Sequence, residues 1–185
     1  MTVYGTRGLV QKRQAYQLLA KAAEEAWGIS PLPGIEREAG GKPFFPGQEN
    51  RAFNLSHSGP LALCALDSAP VGVDVQVVKQ WRPSLPRRVC SQIELDWLEK
   101  SPVDFWSRFT QLWALKECRV KQSGLGLRGP IAQISVPLPT AEHGLYKVDG
   151  LWFRCYTGPG WRGAVCGLGP PPEEICWLTL DHPSR

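Results

Sequence analysis

Asp74 and Gln76 stand two residues apart in Val71-Gly72-Val73-Asp74-Val75-Gln76-Val77, an alternating stretch with valines on one face and Gly72, Asp74 and Gln76 on the other. On a strand of period two, both polar side chains leave the same face within a few ångströms of each other. A carboxylate on so apolar a strand needs a partner; the plain alternatives are a solvated strand end and a buried acid tied to a backbone donor. Glu117 and Lys121 are four apart, which on a helix makes them neighbours. As an exposed pair they would add only about 0.2–0.5 kcal/mol of helix stability. Trp113, one turn before Glu117, argues instead for a carboxylate partly out of water, where it must be paired or metal-bound. Gly41-Lys42-Pro43 holds a basic side chain on a stiff turn, and Ser56-His57-Ser58 groups two hydroxyls with an imidazole. Both are ways to hold phosphate oxygens.

The elements that must position these residues follow from periodicity. Tyr16, Leu19, Ala20, Ala23 and Trp27 mark one face of a helix from Lys12 to Trp27, which Gly28 ends. Residues 30–41 read as a Pro- and Gly-rich loop, 52–58 as a strand and turn, and 61–66 as a buried strand. Lys79 to Arg88, with Lys79, Arg82, Arg87 and Arg88 among prolines, reads as a linker between halves. Ser91 and Glu94 form a capping-box pattern. Ser101-Pro102 with Asp104 marks the start of a second long helix, running to Gln122 with Gly124 as its stop. Four apolar runs (131–136, 151–156, 164–168, 175–180) read as strands of one antiparallel sheet. The expected organisation is α+β, with a first half over residues 1–80 and a second over residues 81–185.

Composition narrows the function classes. The 185 residues carry a formal net charge of +4, 43% hydrophobic and 21% charged residues, which excludes a disordered tail and a fibrous repeat. No stretch reaches the roughly 20 apolar residues of a membrane span and no apolar run follows a basic start, so a soluble cytoplasmic protein is expected. Six cysteines without a Cys-x-x-Cys, and isolated His57, His143 and His182, favour reduced thiols packed as small hydrophobes over a zinc site. Neither a Walker loop nor a Ser-His-Asp set with an elbow is present. Lys and Arg are dispersed and the aromatics lie at core spacing, so anionic partners are expected but not nucleic acid.

Taken in order, Gly-Lys-Pro at 41–43, Phe-Asn-Leu-Ser-His-Ser at 53–58, Val-Gly-Val-Asp-Val-Gln at 71–76 and Trp-Ala-Leu-Lys-Glu-Cys-Arg-Val-Lys at 113–121 resemble the successive motifs of the Sfp-type 4′-phosphopantetheinyl transferases. The resemblance covers residues 12–130 most firmly. It implies two similar α/β halves related by pseudo-twofold symmetry, and a magnesium-dependent monomeric enzyme. That enzyme would transfer the 4′-phosphopantetheine arm of coenzyme A to a serine of an apo acyl or peptidyl carrier protein, releasing adenosine 3′,5′-bisphosphate. Such chemistry needs a cation across the phosphates and basic groups on the leaving group.

By the same resemblance Asp74, Gln76 and Glu117 would hold the metal, and Glu117 and Lys121 would be catalytic. Coenzyme A would meet Arg13, Lys42, Ser56, His57, Lys116 and Lys121. Gln76 stands where the family commonly has a second acid, which implies weaker magnesium binding; Ser56 and His57 would meet the 3′-phosphate, and, the stretch before Lys12 being shorter than usual, Lys12 and Arg13 are only candidates for the contacts made there. The competing reading is an inactive homologue that binds coenzyme A or a carrier without transfer.

Overall fold

A computed structural model describes residues 1–126 and 129–180; His182 lies outside them. The chain folds as a mixed α+β protein whose layers run helix, sheet, sheet, helix. Strand β1 (Thr2–Arg7) precedes helix α1 (Gln14–Trp27), followed by the short pair β2 (Glu36–Arg37) and β3 (Pro43–Phe44). Then come β4 (Ala52–Ser58), β5 (Leu61–Asp67) and β6 (Gly72–Val77). Helices α2 (Leu85–Val89), α3 (Gln92–Glu99) and α4 (Phe105–Ser123) lead to β7 (Leu145–Val148), β8 (Leu151–Gly158), β9 (Trp161–Gly167) and β10 (Cys176–Trp177).

One sheet has the order β10-β1-β5-β4, the other β6-β9-β8-β7. Helix α1 lays Leu18, Leu19 and Ala22 on Phe53, Cys64 and Leu66 of the first sheet, and Gly28 ends it in the left-handed conformation with its N–H on Glu24 O. The facing valines Val73 and Val75 of β6 pack with Leu61 and Leu63 of β5 and Val165 of β9, so the two sheets share one apolar interior. Helix α4 covers the other face of the second sheet through Ala114, Leu115 and Cys118. Its amino-terminal half joins α2, α3 and Trp81 in an aromatic cluster around Phe109 and Trp113.

Several sequence expectations are corrected. Strand β6 does not stay with β4 and β5: it pairs with β9, Asp74 opposite Ala164, so sheet membership does not change at residue 80. The tail crosses back as well, for β10 runs parallel to β1 in the first sheet. The expected strand at 131–136 is a single 3-10 turn, Ile131–Gln133. Helix α4 starts one turn late, with Asp104 at its N-cap, because Ser101 spends its hydroxyl on the Asp104 carboxylate. The capping box at Ser91 and Glu94 forms as read. All six cysteines are free thiols and five are buried.

What joins the sheets is polar. The outer edge of β6 would leave the N–H groups of Val73, Val75 and Val77 without a strand partner. They donate instead to Asn54 Oδ1 at 3.0 Å, Ser56 Oγ at 3.2 Å and Ser58 Oγ at 3.0 Å, all from one face of β4. Close approach of β6 to α4 requires Gly72, where a Cβ would collide with the Cys118 carbonyl. Truncating Asn54 to Ala strands a buried N–H and should lower unfolding free energy by about 1–3 kcal/mol in urea denaturation. Unchanged stability would mean that this seam does not hold the sheets.

Candidate functional site

Asp74 points from β6 toward α4 and is buried at 1% exposure. Its Oδ1 accepts from Ser56 Oγ at 2.7 Å and from Lys121 Nζ at 2.7 Å, and its Oδ2 accepts from Gln76 Nε2 at 2.8 Å. Lys121 Nζ also donates to Val73 O at 3.2 Å. Glu117, one turn earlier on the same helix face, is half-buried and has no hydrogen bond among the described residues. Burial, then the nearby Asp74 carboxylate, pushes the Glu117 carboxyl above its ordinary value, against the pull of Lys121. Asp74 thus holds the Lys121 ammonium, and Glu117 lies close enough to feel the charge of both.

Beyond Lys121 opens a cavity of about 470 Å³. Its walls come from the start of α1 (Lys12, Arg13, Tyr16), the β2–β3 turn (Arg37, Gly40, Gly41, Lys42), β4 (Leu55, His57) and the end of α4 (Lys121, Gly124). Among the described residues no carboxylate lines it, whereas Lys12, Arg13, Arg37, Lys42, Lys121 and His57 do. A hollow so lined is built for a multiply charged anion. The turn is fixed by close packing: a Cβ on Gly40 would collide with the Gly124 carbonyl, and Lys42 Nζ donates to Gln122 O at 2.7 Å. Lys42 thus caps the carbonyl end of α4, where a cation is favoured. Burial lowers its pKa, and Glu38 opposes that shift. Arg37 donates to Gly41 O at 2.9 Å and to Tyr16 OH at 3.2 Å, linking the turn to α1. Burial, then Lys12 and Lys121, holds the His57 imidazole below its ordinary value, with Asp74 opposing.

Of the residues singled out from sequence, Asp74, Gln76, Glu117 and Lys121 come together, and Arg13, Lys42, His57 and Lys121 line the cavity. Two do not behave as expected. Lys116 is buried at 1% exposure on another side of α4, where Nζ meets Glu94 Oε1 at 2.9 Å, Ile131 O at 3.0 Å and Ile134 O at 3.3 Å. A step of one helical residue turns it about 100° from Glu117, and it faces no cavity ligand. Ser56 is also buried, with its hydroxyl taken by Asp74 and the Val75 N–H, so it positions Asp74 and does not reach into the cavity. Arg37 and Tyr16 were missed: the β2–β3 register pairs Arg37 with Pro43, so alternation alone puts Arg37 and Lys42 on opposite faces, and no local period signals that both reach the cavity.

Two carboxylates and an amide that can turn its oxygen inward are a hard, all-oxygen donor set of the kind a magnesium ion takes alongside phosphate oxygens. The unbonded Glu117 carboxylate fits that use.

Residues 70–165, which include Asp74, Gln76, Glu117 and Lys121, match the 4′-phosphopantetheinyl transferase superfamily. Over 149 residues the chain is 33% identical to the 4′-phosphopantetheinyl transferase Sfp of Bacillus subtilis (strain 168), covering 77% of this chain and 66% of that protein. A second Bacillus subtilis 4′-phosphopantetheinyl transferase is 35% identical over 162 residues, 83% of this chain and 71% of its own length. The Salmonella typhi protein AcpT is 36% identical over 122 residues, 61% of this chain and 60% of its own. The chain spans about two thirds of the length of the first two relatives.

The raised Glu117 pKa carries a signed consequence. The folded state binds this proton more tightly than the unfolded chain, so ionising Glu117 costs stability as pH rises through the ordinary value of 4.5 to the folded one. Glu117→Gln should therefore be more stable than the parent at pH 7, with the difference fading below about pH 4. Denaturation midpoints against pH test this; a less stable variant at pH 7 would contradict it.

Proposed function

We propose, since the chain belongs to the 4′-phosphopantetheinyl transferase superfamily, that it moves the 4′-phosphopantetheine arm of coenzyme A onto a serine hydroxyl of an apo acyl or peptidyl carrier protein. The observation that carries this reading is the cavity whose charged lining residues, Lys12, Arg13, Arg37, Lys42 and Lys121, are all cations among the described residues, and which ends at Lys121 beside Asp74 and Glu117. Coenzyme A brings a 3′-phosphate and a pyrophosphate, and Lys12, Arg13, Arg37, Lys42 and His57 supply donors for the nucleotide end. Lys121 stands at the passage from this cavity to the acidic pair and takes the pyrophosphate. Glu117, desolvated and more basic than an ordinary glutamate, accepts the serine proton. The serine oxygen bonds to the phosphorus of the pantetheine arm, the anhydride bond breaks, and adenosine 3′,5′-bisphosphate leaves with the bond's electron pair. Asp74 and Glu117, with the Gln76 amide, would hold a magnesium ion, which when bound neutralises charge across the two phosphates.

The finer reading includes a cytoplasmic monomer made of two sheet-and-helix units related by an approximate twofold. Lys79, Arg82, Arg87 and Arg88 are exposed just beyond the strand that carries Asp74. They form the docking face for a carrier that is acidic around its serine, by long-range attraction.

Incubation with coenzyme A, magnesium and several apo carriers should give one phosphopantetheine of added mass per carrier by mass spectrometry. Asp74→Ala and Glu117→Ala should remove the adduct. Retained coenzyme A binding with no adduct on any carrier would favour a binding protein without transfer. Arg37→Ala should raise KM for coenzyme A about tenfold by loss of charge-assisted bonds, with kcat little changed. Arg87→Glu with Arg88→Glu should raise KM for the carrier and leave KM for coenzyme A as it was; equal effects on both would place the docking face elsewhere.

A further inference from the structure

We propose that Lys121 is an internal stand-in for the divalent cation: it holds Asp74 while the site has no metal. It shifts to the phosphates of the ligand only when metal and pyrophosphate arrive together, so that metal binding by this chain is conditional on coenzyme A. This rests on the transferase reading above and deepens it.

The Asp74 carboxylate is saturated by its own protein. Ser56 and Lys121 occupy Oδ1, and the Gln76 amide donates to Oδ2. Gln76 therefore turns its N–H, not its oxygen, toward the place where an ion would sit. Charge gives the same answer. Asp74 and Glu117 contribute two negative charges, Gln76 none, and Lys121 cancels one, so the bare site offers a dication a single net negative charge. A second carboxylate at position 76 would have kept the balance at two. To reach Asp74, a cation must displace an ammonium at 2.7 Å in surroundings where Asp74 is 2% exposed and Coulomb interactions are weakly screened.

The displaced ammonium needs somewhere to go. Lys121 lines the cavity as well as touching Asp74, and its side chain is 26% exposed, so among the described residues it alone reaches both places. With the cavity unfilled, its neighbours there are other cations, and Asp74 is the favourable position. A bound pyrophosphate reverses that preference, supplies oxygens to complete the shell of the ion, and leaves Asp74 open. Cation and coenzyme A then each strengthen the binding of the other by the same factor.

Manganese(II) is a spectroscopic probe for the magnesium site, and electron paramagnetic resonance of the free ion reads the bound fraction without relying on turnover. Binding is measured with protein alone and with coenzyme A, the manganese–coenzyme A association being subtracted from protein-free samples. The expected result is an affinity at least about tenfold higher with coenzyme A, a coupling of ordinary allosteric size. Lys121→Met and Lys121→Gln, each shown folded by its urea midpoint, should bind manganese without coenzyme A about tenfold more tightly than the parent, since the competing charge is gone. Equal parent affinity with and without coenzyme A, or folded Lys121 variants that bind no better than the parent, overturns the exchange. An Asp74→Asn protein that still binds manganese puts the ion elsewhere and overturns the site reading along with it. Coupling in a protein that transfers no arm to any carrier upholds the exchange and sinks only the enzyme reading.

Discussion

The side-chain seam between β4 and β6 is the constraint on which the rest of the molecule depends. An edge strand normally shows water a row of unpaired N–H groups. Here three of them are satisfied by Asn54, Ser56 and Ser58, so the second sheet is joined to the first without a continuous backbone ladder. Each net bond contributes about 1 kcal/mol, but a bare edge between two apolar layers would cost about 1–3 kcal/mol for every stranded group. The seam sets the register of β6 against β4, and that register decides where Asp74 lies.

The same contacts that join the sheets also tune the site. Ser56 serves Val75 N–H and Asp74 with one hydroxyl, so structural and chemical positioning meet in a single side chain. The valines of β6 face the apolar interior between the sheets, which forces Asp74 and Gln76 to the α4 side, where Glu117 and Lys121 come down from the helix. Gly72 lets the backbone of β6 press against the Cys118 carbonyl, and a larger residue there would move the acids apart. The Lys116–Glu94 pair anchors the opposite side of α4 to the capping box of α3. Removing one partner of so buried a pair leaves an uncompensated charge, so Lys116, beside Glu117 in sequence, holds the helix in place.

The parts of this arrangement visible in the sequence were those that depend on local period. Alternation put Asp74 and Gln76 on one face of β6, and four-residue spacing put Glu117 and Lys121 on one face of α4. The capping box at Ser91 was equally local. Period fails where the outcome is decided by what packs against the element. Nothing in Ser56 tells a hydroxyl aimed at a ligand from one spent on an edge N–H, and nothing in Lys116 records the carbonyls of Ile131 and Ile134 that take it up. Sheet membership is also non-local: β6 and β10 each left the half of the chain in which they lie. The cavity shows this most clearly, since its cations come from α1, a tight turn, β4 and the end of α4.

The closeness of Gly40 to Gly124 explains why cations so scattered in sequence converge. A helix ending in a left-handed glycine exposes its last carbonyls, and the turn after Arg37 lies directly on them, with Lys42 donating to Gln122 O. Lys42 is thereby fixed by its stem and head and Arg37 by Gly41 O and Tyr16, while the Lys121 ammonium is held by Asp74 and Val73 O. Like charges gathered this way repel, and the fold offsets part of the repulsion with the carbonyl end of α4 at Lys42, with Asp74 on Lys121 and with Glu38 near Lys42. The repulsion is released when an anion enters. On the transferase reading, binding free energy of the nucleotide end would be available to move Lys121 away from Asp74, which would couple the β2–β3 turn to the acids beside Lys121.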